Sequence, residues 1–278
     1  MKKKILLALE GNRLSPSTLA YGIEIAKKSD SLLVGVFMRD LKFSGFTYPT
    51  LLGPPLQIAS EYAILLKEER EEIEKNIKLF NDKCAEEHIA HHVHFDEASP
   101  VAGLIHESAY ADLIILDAKM NISSLLPGHP SSSLREILAD AHCPIMVVPA
   151  RYHEIKNTIL SYDGSHSSAY AIKMFNYVLP EWSGYPATLL SIEETTGTHL
   201  KENTNIRELL SRHYSNVRYQ LLRGDVAEEL SKYLRHHSTG SIVVMGAYGR
   251  SALARFWQES MANMIISEIG MPVFICHQ

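Results

Sequence analysis

Two glycines three residues apart, Gly246 and Gly249, follow the apolar run 242–245, and Ser260 comes eleven residues later at the head of an apolar-periodic segment. Backbone amides between such glycines could approach an anion closely, because no Cβ intervenes. A helix beginning near Ser260 would add free N–H groups and the positive end of its dipole, both of which favour a phosphate. Taken alone, the same glycines are also what any strand-to-helix connection uses to turn. The elements around them decide between the two.

Other chemistry is less well provided for. The sequence has no G-x-S-x-G elbow, no G-x-x-x-x-G-K-[ST] loop and no H-E-x-x-H pair, so no catalytic residue is assigned and any ATP hydrolysis should be slow. His88, His91, His92 and His94 cluster, and on a strand His92 and His94 would share a face. Two imidazoles with a carboxylate can hold zinc, but a third ligand at convincing spacing is absent, and the segment reads as a partly exposed strand edge with no metal. His236 and His237 suit a helix end, where the dipole favours cations.

Composition narrows the classes further. The 278 residues are 21% charged with a formal net charge of −5, which gives no global basic surface for nucleic acid or an acidic membrane. Cys84, Cys143 and Cys276 are odd in number and widely spaced, which argues against a disulfide framework and fits a reducing compartment. The basic N-terminus leads into only five apolar residues before Glu10, too few for a signal sequence or a membrane span. A cytoplasmic location is the expectation.

Internal repetition organises the chain. Residues 3–26 resemble 157–179, with Glu10-Gly11-Asn12 matching Asp163-Gly164-Ser165; residues 95–118 resemble 221–247; and 137–150 resemble 265–278. Three matches in one order predict two homologous units, 1–150 and 151–278. Within each, continuous apolar runs such as 112–116 and 241–245 alternate with helical patterns, which indicates an α/β unit with a parallel sheet covered on both faces. Ligands of such sheets bind beyond the strand carboxyl ends where strand order reverses. The glycine pair belongs there. The last apolar strands of the two units would be aggregation-prone edges if exposed, so the units are expected to pack as an internal pseudo-dimer, with a further homodimer left open. Unit one also carries an insertion, 40–66, with three prolines before a strongly charged helix; it reads as a loop plus a helix with a solvated face.

The tandem layout, Asp163-Gly164-Ser165 after the first strand of unit two, and the element G-x2-G-x9-x-S at 246–260 resemble the universal stress protein family. The likeness covers essentially the whole chain in two copies. It implies two doubly wound domains, each with a five-stranded parallel sheet in the order 3-2-1-4-5, dimerisation through the last strand, and ATP in the groove of one subclass, with or without magnesium. By the same resemblance, Asp163 would lie beside the adenosine, Ile192 on the second strand would contact adenine through its backbone, and Met245, Gly246 and Gly249 would form the loop. Ser260 and the amide of Met261 would hold phosphate oxygens. Arg250 and Arg255 flank the loop as counter-charge. Core-strand packing is the simpler account of Ile192, and an Asx turn or helix cap that of Asp163.

Two departures from the family pattern bear on this. Glu259 stands where nucleotide-binding members have glycine, and a carboxylate ~4 Å from a phosphate costs about 4 kcal/mol at an effective dielectric near 20, less where solvent reaches it. In unit one, Asp117 stands for Gly246, Met120 for Gly249 and Glu10 for Asp163, and Pro127 and Pro130 remove amide donors. Unit one is therefore expected to hold no nucleotide. Two readings follow: a nucleotide-binding stress-response module with ATP in unit two, and a nucleotide-free scaffold whose paired sheets and 40–66 segment serve an unknown protein partner.

Overall fold

A computed structural model describes residues 2–39, 56–96, 99–120, 132–193, 203–246 and 270–276. The N-terminal half runs β1 (Lys4–Glu10), α1 (Pro16–Ser29), β2 (Leu32–Met38), α2 (Leu56–Glu86), β3 (His91–Asp96), α3 (Pro100–Ser108), β4 (Leu113–Asp117), α4 (Ser132–Asp140) and β5 (Ile145–Val148). The C-terminal half runs β6 (Asn157–Ser161), α5 (His166–Val178), β7 (Ala187–Glu193), α6 (Asn203–His213), β8 (Val217–Arg223), α7 (Val226–His236), β9 (Ser241–Gly246) and β10 (Val273–Cys276).

The strands form one ten-stranded sheet in the order β3-β2-β1-β4-β5-β10-β9-β6-β7-β8. Each half thus has the expected 3-2-1-4-5 order, and the two meet through their last strands. Pairing within each half is parallel. At the seam it is antiparallel, with Val273 opposite Val147, Phe274 opposite Met146 and Ile275 opposite Ile145. The expected pseudo-dimer is therefore a single continuous sheet. Pairing the last strands with each other removes two apolar edges and leaves β3 and β8, whose polar residues suit an edge.

Apolar residues on both faces of a strand need cover on both sides. In β1, Ile5, Leu7 and Leu9 enter one core with α1, α2, α5 and α6. Leu6 and Ala8 enter the other with α3, α4 and α7. The seam feeds both: Met146, Val148, Phe274 and Cys276 face the first, and Ile145, Val147, Val273 and Ile275 the second. The three cysteines are free and buried. Burial pushes the Cys84 thiol up to about 11 and those of Cys143 and Cys276 to about 12, so at neutral pH they pack as small apolar groups.

Helix starts follow local chemistry. The Ser15 side chain accepts from the Thr18 amide before Pro16 at the first helical position of α1, Ser165 accepts from the Ser168 amide at α5, and Asp225 from the Glu228 amide at α7. One boundary differs from expectation. Helix α2 begins at Leu56, inside the 40–66 insertion, and runs 31 residues. Ile73, Asn76, Phe80 and Cys84 are buried along it, at the three- and four-residue spacing of one helix face. That stripe lies in the part already expected to be helical; the added part, 56–66, directly follows Pro54 and Pro55 and reads from sequence as loop.

The connector between halves is pinned to α1. The Tyr21 hydroxyl donates to the His153 carbonyl and accepts from the His153 amide, both at 3.1 Å, the Tyr152 hydroxyl donates to Glu24, and Ile155 is fully buried. Among the described residues, no helix is long and apolar enough to cross a membrane.

Candidate functional site

The order of each half reverses beside its first strand. Helix α5 carries the chain from β6 to β7 over one face of the sheet, and α7 carries it from β8 to β9 over the other. The carboxyl ends of β6 and β9 are therefore a switch-point crevice. The pairing of Leu160 with Val244 sets the ends of these two strands side by side. Asp163 stands just past β6, Gly246 ends β9, and Ile192 lies near the end of the next strand, β7. Three of the expected site residues thus stand at the ends of adjacent strands, with Met245 buried beneath them. Gly249, Arg250, Ser260 and Met261, with Arg255 and Glu259, lie outside the described residues.

Asp163 is engaged locally. Its Oδ1 accepts from the Ser165 amide at 2.9 Å and from the Ser168 hydroxyl at 2.8 Å. The carboxylate makes an Asx turn with the Ser165 amide and holds the Ser168 hydroxyl, the turn role open to it from sequence, while Ser165 itself is the cap of α5. Ile192 is half-buried and packs on the core shared with Leu222 and Leu190. Gly246 has a packing reason of its own: a Cβ there would lie 2.6 Å from Ser167 Oγ and 2.7 Å from the Ser167 carbonyl carbon and oxygen. The end of β9 therefore lies against the first turn of α5. Ser167 was not picked out from the sequence, and only its place two residues past the matched Asp-Gly-Ser triplet marks it.

The corresponding crevice of the N-terminal half is built differently. Asp117, 5% exposed at the end of β4, accepts through Oδ2 from the Ser15 hydroxyl at 2.7 Å and from Arg13 Nη2 at 3.4 Å. Its Oδ1 accepts from the Lys119 amide at 2.7 Å, and Met120 N–H donates to the Asp117 carbonyl. A carboxylate thus sits at the N-cap of α1, where the crevice of the other half has bare glycine. Glu10 reaches Arg13 at 3.8 Å. Met120 is buried in the core, so it anchors the turn. From α2, Asn76 donates to the Gly11 carbonyl at 3.0 Å, and Ile73 packs over Gly11. Replacing Asp117 with Ala strands the buried Ser15 hydroxyl and the Lys119 amide, and is expected to cost about 1–3 kcal/mol. Urea denaturation of the two proteins measures it, and a loss under about 0.5 kcal/mol would mean that water serves both donors equally well.

The histidines of β3 lie on an edge strand. His92 and His94 are exposed, and His94 Nδ1 meets Glu107 at 2.7 Å. Among the described residues, no group of three His, Cys, Asp or Glu side chains is arranged to hold a metal.

Two doubly wound parallel halves, each with a switch-point crevice and joined through their last strands, define an open α/β protein of the class that binds ligands beyond its strand carboxyl ends. No family model matches the chain. It is 29% identical over 152 residues to a universal stress protein of Methanocaldococcus jannaschii, covering 52% of this chain and 81% of that relative. It is 21% identical over 164 residues to a universal stress protein of Synechocystis, covering 58% of this chain and 56%, just over half, of that relative. The crystal structure of a universal stress protein from Archaeoglobus fulgidus matches over 99% of this chain and 96% of that one, with a TM-score of 0.67 at 16% identity. The fold is thus that of universal stress proteins, and the curated relatives that the chain resembles are universal stress proteins, as the paired motifs led one to expect.

Proposed function

We propose that this is a cytoplasmic stress-response protein whose C-terminal half binds one adenine nucleotide, ATP with or without magnesium, while its N-terminal half binds none. What supports the reading is the contrast between the crevices. In the C-terminal half the strand end facing the helix is bare glycine at 246, and an approaching phosphate meets no fixed negative charge there from the strand. In the N-terminal half the same place is taken by the Asp117 carboxylate, which repels a phosphate and already uses the Ser15 hydroxyl. Asp163 would hold the α5 turn in place beside the adenosine and Ile192 would border the base. Gly249, Ser260 and the Met261 amide would receive the phosphates with Arg250 nearby. Nucleotide occupancy would then act on the contacts of the paired halves, with no catalytic step assigned.

A second reading, the nucleotide-free scaffold serving a protein partner, draws on one observation: Ser167 alone accounts for glycine at 246. Calorimetric titration of the full chain with ATP, with and without magnesium, separates the two. The nucleotide reading expects a stoichiometry of no more than one, loss of binding in Gly249→Val, and binding at least about tenfold tighter in Glu259→Gly, from which a like charge has gone. Absence of binding by both wild type and Glu259→Gly at millimolar ATP favours the scaffold. A stoichiometry near two overturns the assignment of the N-terminal half.

A further inference from the structure

At the other end of the C-terminal half's sheet, roughly 20 Å from the strand carboxyl ends at about 3.3 Å per residue, the starts of β6, β7, β8 and β9 and the last turn of α7 border an open cavity of about 320 Å³. Its described lining contains Arg218, His236 and His237 and no aspartate or glutamate. That is against the average of a chain with a formal net charge of −5. Asn157 and Thr239 add neutral donors.

One of the two imidazoles is already fixed in orientation. The His237 ring stacks on Tyr233, with centroids 4.0 Å apart and 15° between planes. Its Nδ1 lies 2.8 Å from the Tyr233 carbonyl. A carbonyl only accepts, so Nδ1 carries the proton of that bond and Nε2 is the nitrogen left for a ligand: in the neutral ring it accepts from a P–OH group, and it donates to an oxyanion oxygen only in the doubly protonated ring. The carbonyls at the end of α7 favour positive side chains in this place and oppose an anion. Recognition there falls to the side chains.

We propose that this cavity binds a small phosphate-type oxyanion, inorganic or carried on a metabolite, with the Arg218 fork as its main partner and His236 and His237 beside it. The site is separate from the nucleotide crevice and does not depend on it.

The test is a titration of the full chain with sodium phosphate and, in a second arm, glycerol 3-phosphate, following the ring-proton resonances of His236 and His237 by NMR. Both resonances are expected to shift saturably in at least one arm, and the tighter arm identifies the source. Arg218 is exposed on an edge strand, so Arg218→Ala should keep the native amide spectrum while weakening binding by at least about tenfold. Arg218→Lys, which keeps the charge and loses the fork, should fall between. The proposal is overturned by the absence of saturable shifts up to about 20 mM of either ligand, by equal shifts with sodium chloride at matched ionic strength, or by wild-type affinity in Arg218→Ala.

Discussion

Phe274→Ala is expected to cost about 3–5 kcal/mol of stability, because it empties the middle of the seam between the halves. Phe274 is fully buried and meets the edge of Phe175 with ring centroids 5.2 Å apart. Across the seam it stands opposite Met146. The seam ladder has only three residue pairs, so side-chain packing on the two faces carries most of the junction. An alanine leaves a cavity that neither α5 nor β5 can close without giving up contacts of its own. Chemical denaturation of the two proteins measures the loss, with Tyr177→Ala, at a site 59% exposed where one edge contact with the His213 ring is lost, as a surface control expected within about 1 kcal/mol of wild type. A loss for Phe274→Ala no larger than the control's would show that the seam is not a packed core.

Glu181→Ala is expected to cost nearly as much, toward the lower end of the same range, about 3 kcal/mol. Lys3, whose side chain is 3% exposed, places its Nζ 3.2 Å from Glu181 Oε1 in the short 3-10 turn Pro180–Trp182. This pair joins the start of β1 to the other half, and removing the acid leaves a buried ammonium alone. Glu181 itself is 21% exposed, so water relieves part of the penalty. Desolvation opposes the pair even when it is intact. Replacing both members, Lys3→Met with Glu181→Leu, is therefore expected to restore most of the stability. Denaturation of the single and double variants decides it: a double variant as unstable as Glu181→Ala would mean that the loss came from packing around the turn and not from the stranded charge.

Periodicity and turn chemistry carried the fold a long way. The apolar runs at β1, β4, β6 and β9 announced strands buried on both faces, and the acid-Gly-polar triplets marked the two first-strand ends, because each of these is decided by a residue and its neighbours within a few positions. The Asx turn of Asp163 was legible for the same reason: its partners Ser165 and Ser168 are two and five residues away. The start of α2 was not legible, because its first eleven residues, 56–66, hold one charged residue, Glu61, and directly follow Pro54 and Pro55, so they read with the proline-bearing insertion and not with the charged helix that continues them.

Tertiary structure decided what meets across distance. Asp117 could be seen to replace a glycine, but that its carboxylate is held by Ser15 and Arg13, 102 and 104 residues away, depends on how α1 docks on the sheet. Asn76 closes over Gly11 from 65 residues away only because α2 lies along that face. Gly246 signalled a phosphate loop from sequence, whereas the fold adds the nearness of Ser167 as a second reason for its missing Cβ. The pairing of Lys3 with Glu181, 178 residues apart, and the antiparallel register at β5 and β10 follow from joining two halves into one sheet. An apolar pattern states which face of an element must be buried. It is the packing of whole elements that selects the partner.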